Sequence, residues 1–122
     1  MSPLPTAARS LAEQMAEARR GPRRDALFGL WLTLRVIQDL PVAGVVDRPY
    51  RRRVALLSKR LSSLTMAPGL KRALMSTVTE LETADRSHGQ ALLTGLAAAV
   101  RDPLGAETAE VLQRAARGFA GP

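Results

Sequence analysis

Residues 24–40 leave this chain few ways to fold. Leu27, Leu30, Trp31, Leu34 and Ile37 recur at the spacing of one helical face, and Phe28, Leu32 and Val36 carry the apolar stripe around most of the circumference. A helix that is apolar nearly all round has to be enclosed by other helices, or half-enclosed with the remainder shared with another subunit. Pro41 stops it. A membrane span over 26–46 is the competing use of the same run. Arg35, Gln38 and Asp39 lie within it, Pro41 and Gly44 interrupt it, and each charge near a span's centre costs ~3 kcal/mol. A buried core helix is the better solution.

The rest of the chain supplies the enclosure. With 122 residues there is material for one compact domain, 1–122, and not for two. A first helix over 6–20 has Ala8, Leu11, Ala12, Met15 and Ala18 on one side and ends at Gly21-Pro22. Its two large apolar groups hold it weakly, so 1–22 is expected to be a peripheral helix, open to movement, beside a core bundle over 23–118. Val42-Ala43-Gly44-Val45-Val46 reads as a short apolar linker; strand is conceivable there, but no partner strand appears elsewhere. Asp47 is placed to cap a third helix with Pro49 in its first turn, and Tyr50, Val54, Leu57, Leu61 and Leu64 form a heptad seam along it.

Pro68 opens a fourth helix, reaching to about 84 on Leu70, Leu74, Val78 and Leu81. Ser87 and Gln90 have the spacing of a capping box ahead of a fifth helix that ends at Arg101. Asp102-Pro103 repeats the cap-plus-proline signal for a last helix over 103–117, closed by Gly118, with Gly121-Pro122 fraying. The expected fold is all-α: a small antiparallel bundle of five to six helices with short connections and no sheet. Alanines in the last two helices permit close approach but bury little area each, and this modest core makes self-association an expectation.

Charge is distributed unevenly. Residues 1–60 hold 12 basic and 5 acidic side chains, a net of +7, whereas residues 61–122 hold 6 of each. The excess concentrates in Arg19/Arg20/Arg23/Arg24 and in Arg48/Arg51/Arg52/Arg53/Lys59/Arg60. The second cluster lies on the face of the third helix opposite its seam, with Arg52 and Lys59, and Arg53 and Arg60, two turns apart. Arginine presents a planar fork suited to carboxylate and phosphate. An anionic partner follows from this reading; solvated faces in an arginine-rich proteome explain the same composition without one.

Most chemistry is excluded by inventory. With Cys 0 and His 1 there are no disulfides, thiolate metal sites or thiol catalysis, and no His-rich centre. Glu82, Asp85 and His88 are the one carboxylate–imidazole group, but a diiron bundle needs a second Glu-x-x-His pair. Neither glycine-rich phosphate loop occurs. The segment 54–78 has the outline of a helix-turn-helix, yet its second helix carries only Lys71 and Arg72 near its start, and the cations lie on the first. The opening Met1-Ser2-Pro3-Leu4-Pro5 lacks the apolar core of a secretory signal, so a cytoplasmic location is expected.

The sequence therefore predicts a non-enzymatic helical assembly module, with no cofactor or metal. Its acidic partner is expected to meet a basic helix face, in a homo-oligomer or a larger assembly. The alternative is sequence-tolerant binding of RNA or DNA backbone by the same arginines. An enzyme built on Glu82, Asp85 and His88 comes third.

Overall fold

A computed structural model describes residues 4–119, which form six α-helices and no strand. The expected start at Met1-Ser2-Pro3 and the Gly121-Pro122 end lie outside these residues. The helices are α1 Leu4–Glu17, α2 Pro22–Gln38, α3 Arg48–Ser63, α4 Pro68–Leu81, α5 Gly89–Leu104 and α6 Ala106–Phe119. A 3-10 turn, Arg86–His88, precedes α5. The all-α bundle anticipated from the sequence is the fold adopted.

α2 occupies the middle. It packs against α1, α3, α4 and α5, while α1 also meets α6, so that the outer helices follow one another around it from α3 to α1 and leave the α1–α3 side open. Leu27, Leu30, Leu34 and Ile37 are fully buried, each worth about 1.5–3 kcal/mol relative to exposure. Gly29 lets α3 and the turn after it approach α2: a Cβ there would lie 3.0 Å from Leu61 Cδ2, 3.2 Å from Met66 Cε and 3.3 Å from Leu64 Cδ1. Thr33 is buried four residues later, and its hydroxyl donates to the Gly29 carbonyl at 2.8 Å, so the polar group carries no desolvation penalty. The first helix contributes Leu4, Ala7 and Leu11 to the same core. α1 is joined to α6 by the Thr108 hydroxyl, which donates to Gln14 Oε1 at 2.9 Å, although Gln14 Nε2 is buried without a partner.

Local signals account for most boundaries. The Asp47 carboxylate accepts from the Tyr50 N–H at 2.9 Å, and Pro22 and Pro68 occupy first turns, as expected. The seam Tyr50, Val54, Leu57, Leu61 faces the core, with Leu64 half-buried at its end. Lys71 donates to the Ser62 and Leu64 carbonyls at 3.0 and 2.8 Å, satisfying the C-terminus of α3 across the turn. The Thr65 N–H donates to Asp25 Oδ2 at 2.9 Å, tying that turn to the start of α2. Residues 42–46 form a turn rather than a strand, with the Val45 N–H donating to the Val42 carbonyl at 3.1 Å and Gly44 at φ 82.

α1 runs from Leu4 to Glu17 rather than over the expected 6–20, and α4 ends at Leu81, short of the expected 84. Two further boundaries differ from the sequence reading for identifiable reasons. Asp102 and Pro103 do not open a helix: they lie in the last turn of α5, and the break comes at Gly105, whose φ of 99 favours glycine. Because Pro103 sits so close to the helix end, its missing N–H and ring disturb only the final turn. The Ser87/Gln90 capping box is likewise replaced. Asp85 accepts from the Ser87 N–H at 2.8 Å and from the Ser87 hydroxyl, while the Asp85 N–H donates to His88 Nδ1 at 3.0 Å. The serine hydroxyl is thus spent on Asp85, and the reciprocal cap forms two residues earlier around the 3-10 turn.

Two predictions follow from this packing. The Tyr50 hydroxyl, buried, donates to the Leu81 carbonyl at 2.8 Å, and burial foremost, with the Asp47 carboxylate second, pushes its pKa from 10.0 up to about 12. The folded protein keeps this proton after the unfolded chain has released it. Its stabilising contribution is therefore complete below pH 10 and lost as pH rises towards 12. Tyr50→Phe should cost about 1–3 kcal/mol at neutral pH by leaving the carbonyl unpaired, and its urea midpoint should lack this alkaline fall. The second concerns two helical glycines. Gly29→Val should cost about 1–3 kcal/mol by wedging α2 from Leu61 and Met66. Exposed Gly95, with nothing within 4 Å of its Cβ position, should gain about 0.5–1 kcal/mol as Gly95→Ala. Thermal denaturation of both variants checks the contrast.

Candidate functional site

The clustered cations all reach the surface. Arg19, Arg20, Arg23, Arg24, Arg48, Arg51, Arg52, Arg53, Lys59 and Arg60 are exposed. Among the described residues, Arg53 alone of this set is ion-paired, with Asp39 at the end of α2. Arg23 is engaged differently: its Nη1 lies 3.4 Å from the Leu104 carbonyl, at the negative end of the α5 dipole. The Arg53–Asp39 and Thr65–Asp25 contacts fix α2 and α3 as antiparallel neighbours. The cluster at the α1–α2 corner therefore lies at the same end of the pair as Lys59 and Arg60. Arg48, Arg51, Arg52 and Arg53 lie at the opposite end of α3, so the two groups approach each other only through Lys59 and Arg60.

Helical geometry divides the α3 cations into three directions. At 100° per residue from the buried seam, Arg48, Arg52 and Lys59 point directly away from the core. Arg51 turns to one flank, where with Val54, Ala55, Glu82 and Thr83 it lines a shallow hollow. Arg53 and Arg60 turn to the other flank, towards α2. There they line a groove of about 370 Å³ with Leu32, Arg35, Val36, Asp39, Leu56 and Leu57. The continuous basic face expected from the sequence is thus an outward ridge with unlike sides.

The α2 side of that groove carries a layered arrangement of rings and guanidinium groups. Phe28 and Trp31 stack with centroids 6.1 Å apart and planes 17° from parallel. The Arg35 guanidinium lies 4.9 Å from the Trp31 centroid, and that of Arg60 lies 5.6 Å from the Phe28 centroid. Each is a cation–π contact that holds an arginine extended and weakly hydrated. Trp31 is therefore not the core residue that its place in an apolar helix implied. It is half-buried and belongs to the outer face of α2.

Leu56 was missed in the sequence, and it is 60% exposed in the groove wall. Its signal was present: it stands off the heptad seam, three residues after Arg53 and four before Arg60. Those three positions share a face and make a second, shorter stripe of mixed character. Val42, Val45 and Val46 are the other large exposed hydrophobic residues among those described, all in the α2–α3 turn. The base of that turn is held by the Arg86 N–H, which donates to the Pro41 carbonyl at 2.9 Å.

Of the residues of the enzyme alternative, Asp85 and His88 meet at the 3-10 cap, and Glu82 stands apart from them. His88 lines a hollow between α4 and α5 with Glu80, whereas Glu82 lines the separate hollow beside Arg51. Asp85 and His88 spend their facing atoms on the 3-10 cap, and the two Ser87 hydrogen bonds lower the Asp85 pKa. Among the described residues, no group of three or more His, Asp or Glu side chains is placed to hold a metal ion. Among them, too, no helix is long and apolar enough to cross a membrane.

The ring–guanidinium arrangement predicts a spectroscopic effect. Arg35→Ala should uncover the Trp31 face and change the emission of this single tryptophan, at a stability cost of about 0.5–1 kcal/mol. Fluorescence and urea titration of the same sample check both. No protein-family model, curated protein or solved structure matches the chain.

Proposed function

We propose that this protein is a binding module without catalysis of its own, and that it docks on an acidic protein surface through the outward ridge of α3. The observation that carries the reading is the state of Arg48, Arg52 and Lys59 on the ridge and of Arg51 on its flank. All are exposed, on a rigid capped helix, and none forms an ion pair among the described residues. Their mutual repulsion is screened over about 8 Å at physiological salt, and a partner carboxylate relieves it. Such rim charges set encounter rate and orientation more than final affinity, so the interaction is expected to be salt-sensitive.

A protein surface is favoured over nucleic acid by the aromatic residues. Single strands are held by bases stacking on free ring faces next to a basic groove. Here Phe28 and Trp31 stack on each other, and a guanidinium lies over each ring. The α3 ridge is also short, about 24 Å at 1.5 Å per residue.

The test compares poly-L-glutamate with a mixed-sequence single-stranded RNA, using the full chain and its Arg48→Glu/Arg51→Glu/Arg52→Glu variant. Poly-L-glutamate should bind the wild type and lose about tenfold or more in affinity on the variant, with unchanged circular dichroism. Binding that the triple variant leaves unaltered would overturn the reading. RNA bound about tenfold more tightly than polyglutamate, with a steep dependence on salt, would replace it by the nucleic-acid reading.

A further inference from the structure

We infer that the outer groove between α2 and α3 receives one acidic amphipathic helix of a partner protein, as the second part of the contact made by the α3 ridge. The inference rests on the proposed reading of α3 as a docking element and names the shape of its partner.

The groove has the construction of a helix seat. Two antiparallel helices leave a trough on each side of their contact. The inner trough of α2 and α3 is filled by α4, which packs on both. The outer trough is unfilled among the described residues. Its floor is apolar, made by Val36 and Leu57 with half-buried Leu32, and exposed Leu56 forms its α3 wall. A helix laid along such a trough presents anchors at i, i+3, i+4 and i+7 to the floor and its flanks to the walls. The volume of about 370 Å³ suits a few aliphatic or aromatic side chains and falls at the lower end of ligand-sized clefts.

Charge selects the occupant. The rim holds Arg35, Arg53 and Arg60 against the one carboxylate of Asp39. Cation–π contacts hold Arg35 and Arg60 over their rings, which lowers the entropy lost when a carboxylate arrives. The Arg53–Asp39 pair is exposed on both sides and worth at most about 1 kcal/mol, so Arg53 can exchange it for an incoming carboxylate. A second copy of this chain is disfavoured in the same groove. In a two-fold contact the two rims together bring six arginines to two aspartates, an excess of like charge. A lipid surface is disfavoured by shape, since the apolar groups lie in a trough and not on a protruding tip.

The experiment uses the full chain and two synthetic peptides of the same composition. One has leucines at i, i+3, i+4 and i+7 of a helix flanked by glutamates; the other is scrambled. Trp31 emission and isothermal titration are the readouts. The amphipathic peptide should bind at least about tenfold more tightly than the scrambled one. Leu56→Gln, which removes the apolar wall without adding charge beside Arg52 and Lys59, should abolish that preference while leaving poly-L-glutamate binding to the α3 ridge intact; because Leu56 is exposed, the fold tolerates the change. Equal binding of the two peptides overturns the groove and leaves the ridge reading standing. Loss of both peptide and polyglutamate binding overturns both readings. A concentration-dependent dimer that Leu56→Gln dissolves, or anionic vesicles bound in preference to the peptide, also overturns it.

Discussion

The structure depends on enclosing α2. Leu27, Leu30, Leu34 and Ile37 must be removed from water together, and a helix about 11 Å across needs several neighbours to do so. α1, α3, α4 and α5 supply them, and the short connections leave little freedom in their order. The price of a central helix is that its last sector faces outward. Phe28, Trp31 and Leu32 occupy that sector, half-covered, and α3 flanks them. The mixed apolar and cationic groove is therefore a direct product of how the core is completed.

The elements that were legible in the sequence are those set by periodicity and by single-residue caps. The seam of Tyr50, Val54, Leu57 and Leu61 and the Asp47 cap are local facts, requiring no knowledge of distant contacts. Pro103 and Ser87 show where such local reading fails. Each carries a valid helix-start signal, but Gly105 and Asp85 offer stronger ones two residues away, and a helix boundary is a competition among neighbours. The half-exposure of Trp31 was out of reach for another reason. Which sector of an all-apolar helix stays uncovered depends on how many neighbours arrive, and that is a tertiary quantity.

The same distinction runs through the candidate site. That Arg48, Arg52 and Lys59 point away from the buried seam of α3 follows from arithmetic on the chain. That Arg35 and Arg60 rest on aromatic rings, and that Arg53 meets Asp39, depends on α2 and α3 running antiparallel at close range. Composition alone left the basic excess open to a mundane explanation. The structure narrows it to two unlike environments: an outward ridge with no internal partners among the described residues, and a groove in which the guanidinium groups are held in place. Asp85 and His88 illustrate the opposite outcome, a spacing suggestive of chemistry that serves a turn.

The bond between Thr108 and Gln14 has a bearing on the order of assembly. It joins residues 94 apart in the chain, whereas α5 and α6, which make the most extensive helix contact, are neighbours across one glycine. Local hairpins form early because little chain entropy is lost in closing them, and a distant seam waits for the intervening segments. The α1–α6 junction is thus the last link in the run of helix contacts that passes from α3 through α4, α5 and α6 to α1. The amide nitrogen of Gln14 is left unpaired inside it, and a buried donor without a partner weakens that link.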